Sequence, residues 1–135
     1  MLSANPVPIN NLAELEKHIY IVKAPFNFAI LNIDAAGRVM DEQNLEQAWI
    51  GGPSLGGITA CRLVADNPER AYGLFLFGTY CDRGLNDFTG PVVLLMGLED
   101  EIIEWESYEQ AEANLPGDTY MREVEGLNHS GFGNY

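Results

Sequence analysis

Gly52-Pro53-Ser54-Leu55-Gly56-Gly57 is the stretch of sequence that decides the fold. The apolar run Ala48–Gly51 precedes it and predicts a strand, and the apolar run Leu55–Ala65 predicts a helix behind it. A G-x-S-x-G sequence between a strand and a helix is typical of a nucleophile elbow, a sharp turn that exposes a serine hydroxyl. Because glycine has no Cβ atom, the strand and the helix can approach closely around the turn. We therefore predict that Ser54 is a nucleophile.

Two further residues follow predicted strands and complete a triad. Pro91–Met96 predicts a buried strand that leads to Asp100, and Tyr120–Val124 predicts another that leads to His129. Because the carboxyl ends of parallel strands share one edge of a sheet, these side chains are expected to meet Ser54 there. A serine needs a base that takes its proton, and the base needs an acid that orients it. We therefore predict His129 as the base and Asp100 as the acid.

The segment from about Lys23 to Tyr135 resembles the α/β-hydrolase superfamily, in particular its dienelactone-hydrolase-like esterase branch. Gly52–Gly57 matches the elbow, with Pro53 where histidine is usual. Gly97–Asp100 matches the G-x-x-D acid loop, and Gly126–His129 matches the G-x-N-H histidine loop. The resemblance implies a serine hydrolase that cleaves small carboxylic esters through an acyl-enzyme, with no cofactor and no metal.

Other residues compete for these roles. Asp82 follows the preceding strand, where some relatives of this fold keep their acid, and Glu99 adjoins Asp100. His18 is the other histidine, but it lies at the start of a predicted strand, at the wrong edge of the sheet. Each triad member also has a purely structural interpretation, as a turn, surface or loop residue. Pro53 removes an N–H group and stiffens the approach to the elbow, which favours reduced activity.

Members of the superfamily are longer than this chain. By comparison, we expect this chain to lack the first strands of the sheet, one of which supplies half of the oxyanion hole. We also expect it to lack a helix after His129. Phe77–Val92 leaves no room for a cap domain. The first oxyanion donor is expected to be the N–H of Leu55. Phe26 or Asn27 is expected to supply the second.

That second donor requires strand 18–23 to lie beside strand 48–51, which brings the loop Ala24–Phe28 near the serine. The residues expected to line a pocket for a small ester are Phe26, Phe28, Tyr80 and Phe132.

Strands alternate with helices along residues 1–135, which we interpret as one shortened domain. This alternation predicts an α/β fold, with a mostly parallel sheet of about five strands and helices on both faces. The predicted strands are 18–23, 48–51, 72–78, 91–96 and 119–124. The predicted helices are 12–17, one from a cap at Asp34 to about Gln43, 55–66 and 104–114.

Composition excludes several classes of protein. Seven basic and 20 acidic residues give a net charge of −13, which argues against nucleic-acid binding. No apolar run reaches the length of a membrane span, and the first residues do not have the pattern of a signal peptide. Cys61 and Cys81 are too few for a disulfide framework, so we predict buried free thiols. Free thiols fit a reducing compartment and predict a cytoplasmic protein.

The acidic stretch Glu99–Glu112 has two interpretations. It lacks the ligand spacing of an EF-hand, so calcium binding is the weaker one. The stronger one is a solvated helix face, with Trp105, Tyr108 and Ala111 facing inward.

Three further expectations concern assembly and function. An exposed sheet edge and uncovered apolar faces predict a homodimer. The alternative to an esterase is a catalytically degenerate hydrolase-fold protein that binds a small ligand or a partner chain. A haloalkane-type hydrolase is disfavoured, because such enzymes need an aspartate at position 54.

Overall fold

A computed structural model of the protein describes residues 19, 20, 22 and 33–132. The described residues form one sheet of four parallel strands in the order β1-β2-β3-β4. The strands are β1 (Ala48–Pro53), β2 (Ala71–Phe77), β3 (Val92–Gly97) and β4 (Tyr120–Val124). The helices are α1 (Ala35–Glu42), α2 (Leu55–Asp66) and α3 (Trp105–Ala111). Short 3-10 turns cover Pro68–Arg70, Glu112–Asn114 and His129–Phe132.

The predicted α/β class with a parallel sheet is confirmed. Helix α2 has the predicted bounds, and the four strands lie within two residues of theirs. The helix predicted over 104–114 is shorter, because α3 ends at Ala111 and a 3-10 turn continues the chain. The predicted helix 12–17 and the loop Ala24–Phe28 lie outside the described residues. In the predicted strand 18–23 only residues 19, 20 and 22 are described, and they have no regular secondary structure.

One face of the sheet carries the core. Leu74 and Leu76 on β2 and Leu94 and Met96 on β3 are at most 1% exposed. These side chains alternate along their strands, as the period of two in a strand requires. Burying each of them contributes about 1.5–3 kcal/mol. The three helices add buried side chains to this same core: Met40, Val64 and Tyr108 are among them.

The opposite face pairs aromatic rings with glycines. Trp49 on β1 is the register partner of Gly73 on β2, and a Cβ atom on Gly73 would lie 2.6 Å from the indole ring. Phe75 on β2 lies in the same way against Gly51 on β1. The rings therefore lie across the neighbouring strand, and Trp49 stays 47% exposed. This face is apolar and remains partly open to solvent.

The prediction of free thiols is wrong. Cys61 on α2 and Cys81 after β2 are both fully buried, and they form a disulfide with a Cα–Cα distance of 5.6 Å. Cys61 lies on the inner face of α2, which packs over the loop that follows β2, so residues 20 apart in sequence become neighbours. The argument for a reducing compartment rested on free thiols and loses that support.

No helix among the described residues is long and apolar enough to cross a membrane.

Candidate active site

The turn between β1 and α2 holds Ser54 in a strained conformation. Strand β1 ends at Pro53, helix α2 begins at Leu55, and Ser54 between them has φ 51° and ψ −130°. A non-glycine residue with positive φ is uncommon, and such strain costs on the order of 1–3 kcal/mol. The Ser54 N–H donates to the Phe77 carbonyl at 3.0 Å, which ties the turn to the end of β2. This backbone is the one that a nucleophile elbow needs.

Close packing of glycines makes the turn tight. A Cβ atom on Gly57 would overlap the methyl group of Thr79 and lie 2.8 Å from the Gly52 carbonyl oxygen. A Cβ atom on Gly52 would lie 3.3 Å from the carbonyl carbon of Gly56. The helix therefore begins against the strand with little room for side chains at these positions. The elbow glycines have the packing role that the sequence predicted.

Hydrogen bonds join the three predicted catalytic side chains. His129 Nε2 lies 3.0 Å from Ser54 Oγ, and His129 Nδ1 lies 2.7 Å from Asp100 Oδ2. The Asp100 side chain is fully buried, and the His129 side chain is 16% exposed. Neutral histidine in this chain of bonds would keep its proton on Nδ1, because the carboxylate beside that atom can only accept. Nε2 is then free to accept a proton from the serine.

The Asp100 carboxylate is stabilised in its ionised form. Burial raises the pKa of this carboxyl, but the N–H of Ile103, the His129 ring and the N–H of Ile102 outweigh burial and lower the pKa below its ordinary value. Both backbone N–H groups donate to Asp100 Oδ1 at 2.9 Å, while Oδ2 faces the histidine. The carboxylate is thus charged and fixed in orientation at neutral pH.

Backbone contacts hold the acid loop and the histidine loop together. The Glu99 N–H donates to the Leu127 carbonyl at 3.1 Å, and the Leu98 N–H donates to the Val124 carbonyl at 3.0 Å. A Cβ atom on Gly97 would overlap the Leu127 carbonyl oxygen. The ends of β3 and β4 therefore bring the two loops together, as expected for neighbouring parallel strands.

The competing acids form no ion pair with His129, and the competing base lies outside the described residues. Asp82 forms an ion pair with Arg62 at 2.6 Å. Glu99 is exposed, and Asp100 is the neighbour that contacts the histidine. His18 lies outside the described residues. Pro53 ends β1 opposite Phe77, and it interrupts neither the strand nor the turn.

The other predicted site residues are only partly described. Leu55 is the first residue of α2, where backbone N–H groups have no partner within the helix. The Phe132 ring stacks on Phe77 at 6.2 Å, and a Cβ atom on Gly78 would lie 2.7 Å from it. Tyr80 is partly buried and packs against the core. The remaining candidates, Phe26, Asn27 and Phe28, lie outside the described residues.

One contact of the site was missed by the sequence analysis. The Trp105 indole N–H donates to the Asp100 carbonyl at 3.1 Å, so the first residue of α3 braces the acid loop. The sequence predicted that Trp105 faces inward, but an apolar spacing carries no information on where the indole N–H points. No group of three histidine, cysteine, aspartate or glutamate side chains within the described ranges is arranged to hold a metal ion.

Comparison with known proteins agrees with this fold. The model of the alpha/beta hydrolase family matches residues 3–135 of the chain. No curated protein matches the sequence. Among solved structures, the chain is similar to a predicted CIB-like hydrolase from Thermoplasma acidophilum, with 13% identity and a TM-score of 0.64. It is also similar to carboxylesterase CesB from Bacillus subtilis (14%, 0.61) and to a carboxylesterase structure from Nitrososphaera gargenis (11%, 0.63).

These alignments cover most of this chain but less of some of the others. The alignment with the Thermoplasma acidophilum hydrolase covers 78% of this chain and 54% of that one. For CesB the shares are 83% and 64%, and for the Nitrososphaera gargenis structure they are 95% and 80%. The chain thus spans about half to two thirds of the length of the first two. At such identities the likeness shows a shared fold.

Proposed function

Because the chain belongs to the alpha/beta hydrolase family, we propose that it is a serine hydrolase that cleaves small carboxylic esters. The observation that carries the proposal is the line of hydrogen bonds from Asp100 through His129 to a strained Ser54. Strained backbone conformations cluster at active sites, and a serine that bonds to a histidine oriented by a carboxylate has the arrangement of a catalytic triad. The loops Gly97–Asp100 and Gly126–His129 favour the dienelactone-hydrolase-like branch.

The proposed reaction runs through an acyl-enzyme. Ser54 Oγ attacks the ester carbonyl carbon while His129 Nε2 takes the serine proton. Collapse of the tetrahedral intermediate expels the alcohol, which receives that proton from His129. Water then attacks the acyl group, His129 takes a proton from the water, and the carboxylic acid leaves as Ser54 recovers its own proton. Throughout, Asp100 stabilises the imidazolium and keeps Nδ1 protonated.

Stabilisation of the oxyanion needs two donors. The N–H of Leu55 at the start of α2 is the proposed first donor, because it adjoins the nucleophile and has no partner within the helix. We propose Phe26 or Asn27 for the second. Loss of one such donor lowers the rate on the order of a hundredfold. A slow enzyme is therefore expected if the second donor is poorly placed.

The connection between β2 and β3 bears on the size of the substrate. Residues 78–91 contain no helix, and Leu85 and Phe88 within them are buried against the core. This segment therefore forms no cap over Ser54. We propose short-chain esters or lactones as substrates, with Tyr80 and Phe132 lining their site.

Hydrolysis of p-nitrophenyl acetate and butyrate tests the proposal. Activity of the wild type is expected to fall on the order of 10⁶-fold in Ser54→Ala, because the nucleophile itself is removed. A matched control is Ser107→Ala, which removes a serine hydroxyl that bonds to Glu104 beside α3. That control is expected to keep full activity.

An organophosphonate probe separates a slow enzyme from a degenerate one. An activated Ser54 reacts covalently with the probe, and the mass increase maps to the peptide that contains residue 54. Equal background hydrolysis in wild type and Ser54→Ala, together with no labelling, would instead support the non-catalytic ligand-binding or partner-binding alternative.

A further inference from the structure

The carboxylate of Asp100 is bonded to backbone of its own loop. Residues 98–104, between β3 and α3, form neither helix nor strand. Within them, Asp100 Oδ1 accepts the N–H groups of Ile102 and Ile103 at 2.9 Å. These two bonds fix the carboxylate relative to the loop, but they move together with it. The place of the carboxylate in the site therefore depends on what ties the loop to the rest of the fold.

Trp105 ties the loop to α3. Its indole N–H donates to the Asp100 carbonyl at 3.1 Å, and so holds the peptide group that follows Asp100. On the other side of Asp100, the Glu99 N–H donates to the Leu127 carbonyl at 3.1 Å. Trp105 is the first residue of α3 and packs against the hydrophobic core. The chain is thus held on both sides of Asp100, and Trp105 supplies the bond to a helix.

The Trp105 ring is itself held in place. Its centroid lies 5.5 Å from that of Tyr108, one turn later on α3, with 83° between the two planes. Aromatic pairs favour this edge-to-face arrangement, and Tyr108 is a buried member of the core. Packing explains why position 105 is aromatic, but a phenylalanine could also pack there. The feature that only tryptophan adds is the N–H donor.

The position of Asp100 bears on the other two members of the triad. Asp100 Oδ2 lies 2.7 Å from His129 Nδ1, and His129 Nε2 lies 3.0 Å from Ser54 Oγ. A displaced carboxylate would therefore turn or release the imidazole that accepts the serine proton. Misplacement of reacting groups by about 1 Å can lower a rate on the order of a hundredfold.

We propose that Trp105 is a positioning residue of the triad. Its indole N–H holds the Asp100 backbone so that the carboxylate stays within hydrogen-bond distance of His129 Nδ1. Trp105 acts through Asp100 and not on the substrate. Its effect on rate rests on the proposed ester hydrolysis, whereas its effect on the Asp100–His129 bond can be measured without a substrate.

Trp105→Phe tests the effect on rate, because it keeps an aromatic ring beside Tyr108 and removes the N–H donor. We expect kcat for p-nitrophenyl acetate to fall roughly threefold to tenfold with KM unchanged, since the substrate does not contact position 105. Trp49→Phe makes the same change on β1 and is expected to keep the wild-type kcat. An active wild type with an equal kcat in Trp105→Phe would refute the positioning role and leave the proposed hydrolysis intact. An equal loss in both variants would also refute it.

Proton NMR tests the effect on the Asp100–His129 bond. The hydrogen between Asp100 Oδ2 and His129 Nδ1 is expected to resonate at low field, and Asp100→Asn identifies its signal by abolishing it. The signal should shift or broaden in Trp105→Phe and stay unchanged in Trp49→Phe. An identical signal in wild type and Trp105→Phe would overturn the proposal, whether or not the protein hydrolyses esters.

A third measurement needs no substitution at position 105. Trp49→Phe leaves Trp105 as the single tryptophan, because the chain has two. Its indole proton is expected to exchange slowly with water, since it is hydrogen-bonded to the Asp100 carbonyl. Exchange as fast as that of a solvent-exposed indole would remove the bond on which the proposal depends. This result decides against the proposal even if Trp105→Phe does not fold.

Discussion

At the residue scale, Asp100 is the most constrained side chain of the site. One oxygen accepts two backbone N–H groups, the other faces His129, and the residue's own carbonyl accepts the Trp105 indole N–H. An asparagine at this position could keep the shape of the side chain, but its amide lacks the negative charge that holds a proton on Nδ1. We therefore expect Asp100→Asn to lower kcat for p-nitrophenyl acetate on the order of 10⁴-fold.

Asp82→Asn is the matched control for that measurement. It neutralises an aspartate that pairs with Arg62, and it is expected to keep full activity. A large loss of activity in Asp82→Asn with little loss in Asp100→Asn would instead identify Asp82, which follows β2, as the acid of the triad.

The same carboxylate predicts how stability depends on pH. Its pKa is lowered in the folded protein from an ordinary value of 3.8, so the unfolded chain binds this proton more tightly. The stabilisation is therefore complete above the unfolded pKa and is lost as the pH falls through the lower folded pKa. The difference in unfolding free energy between wild type and Asp100→Asn should therefore decrease as the pH falls from about 5 through the folded pKa. Denaturant titrations between about pH 5 and pH 2 measure this, and a difference that stays the same across that range would contradict it.

At the element scale, the elbow depends on the distance between β1 and α2. A Cβ atom on Gly57 would overlap Thr79 and crowd the Gly52 carbonyl, and Thr79 is only 1% exposed and cannot move into solvent. We expect Gly57→Ala to lower the free energy of unfolding by about 1–3 kcal/mol. Its control is Gly117→Ala, where a Cβ atom meets nothing within 4 Å. Equal melting temperatures for the two variants would show that α2 can shift away from the strand.

The disulfide ties α2 to the loop that follows β2. It closes a loop between residues 20 apart, for which the chain-entropy model gives about 3 kcal/mol of stabilisation. Dithiothreitol is therefore expected to lower the unfolding free energy of the wild type by about that amount, and to leave Cys61→Ala/Cys81→Ala unchanged. Thiol titration in guanidinium without reductant should detect no free thiol. Two titratable thiols would restore the prediction of free cysteines.

At the scale of the whole molecule, the sequence predicted the features that repeat along the chain. Apolar runs predicted four strands and α2, and the glycines around Ser54 predicted the elbow. These features could be predicted because each depends on residues that are neighbours in the sequence. The order of motifs also predicted that Asp100 and His129 meet. Contacts between distant elements were not predictable in the same way. The Cys61–Cys81 bond and the Trp105 indole contact depend on which faces of α2 and α3 turn inward, and residue spacing alone does not fix such orientations.

The open face of the sheet supports the last prediction, a homodimer. Trp49 and Tyr72 at its margin are 47% and 59% exposed, and their rings lie 6.0 Å apart. Phe75 and Phe77, on the same face of β2, are only partly buried. Exposed apolar surfaces that join several side chains commonly mark interfaces. Pairing of two copies across this face would remove these rings from water.

Light scattering measures this directly. We expect a mass twice the 14.9 kDa of one chain for the wild type. Trp49→Glu places a charge on the open face and should shift the mass to that of one chain. Ile102→Glu changes a side chain that is 73% exposed in the acid loop, and the dimer should persist. A single-chain mass for the wild type at all concentrations would exclude the dimer. Of the two substituted residues, only Trp49 belongs to the open face. Loss of the dimer in both variants would therefore assign the effect to the added negative charge and not to this face.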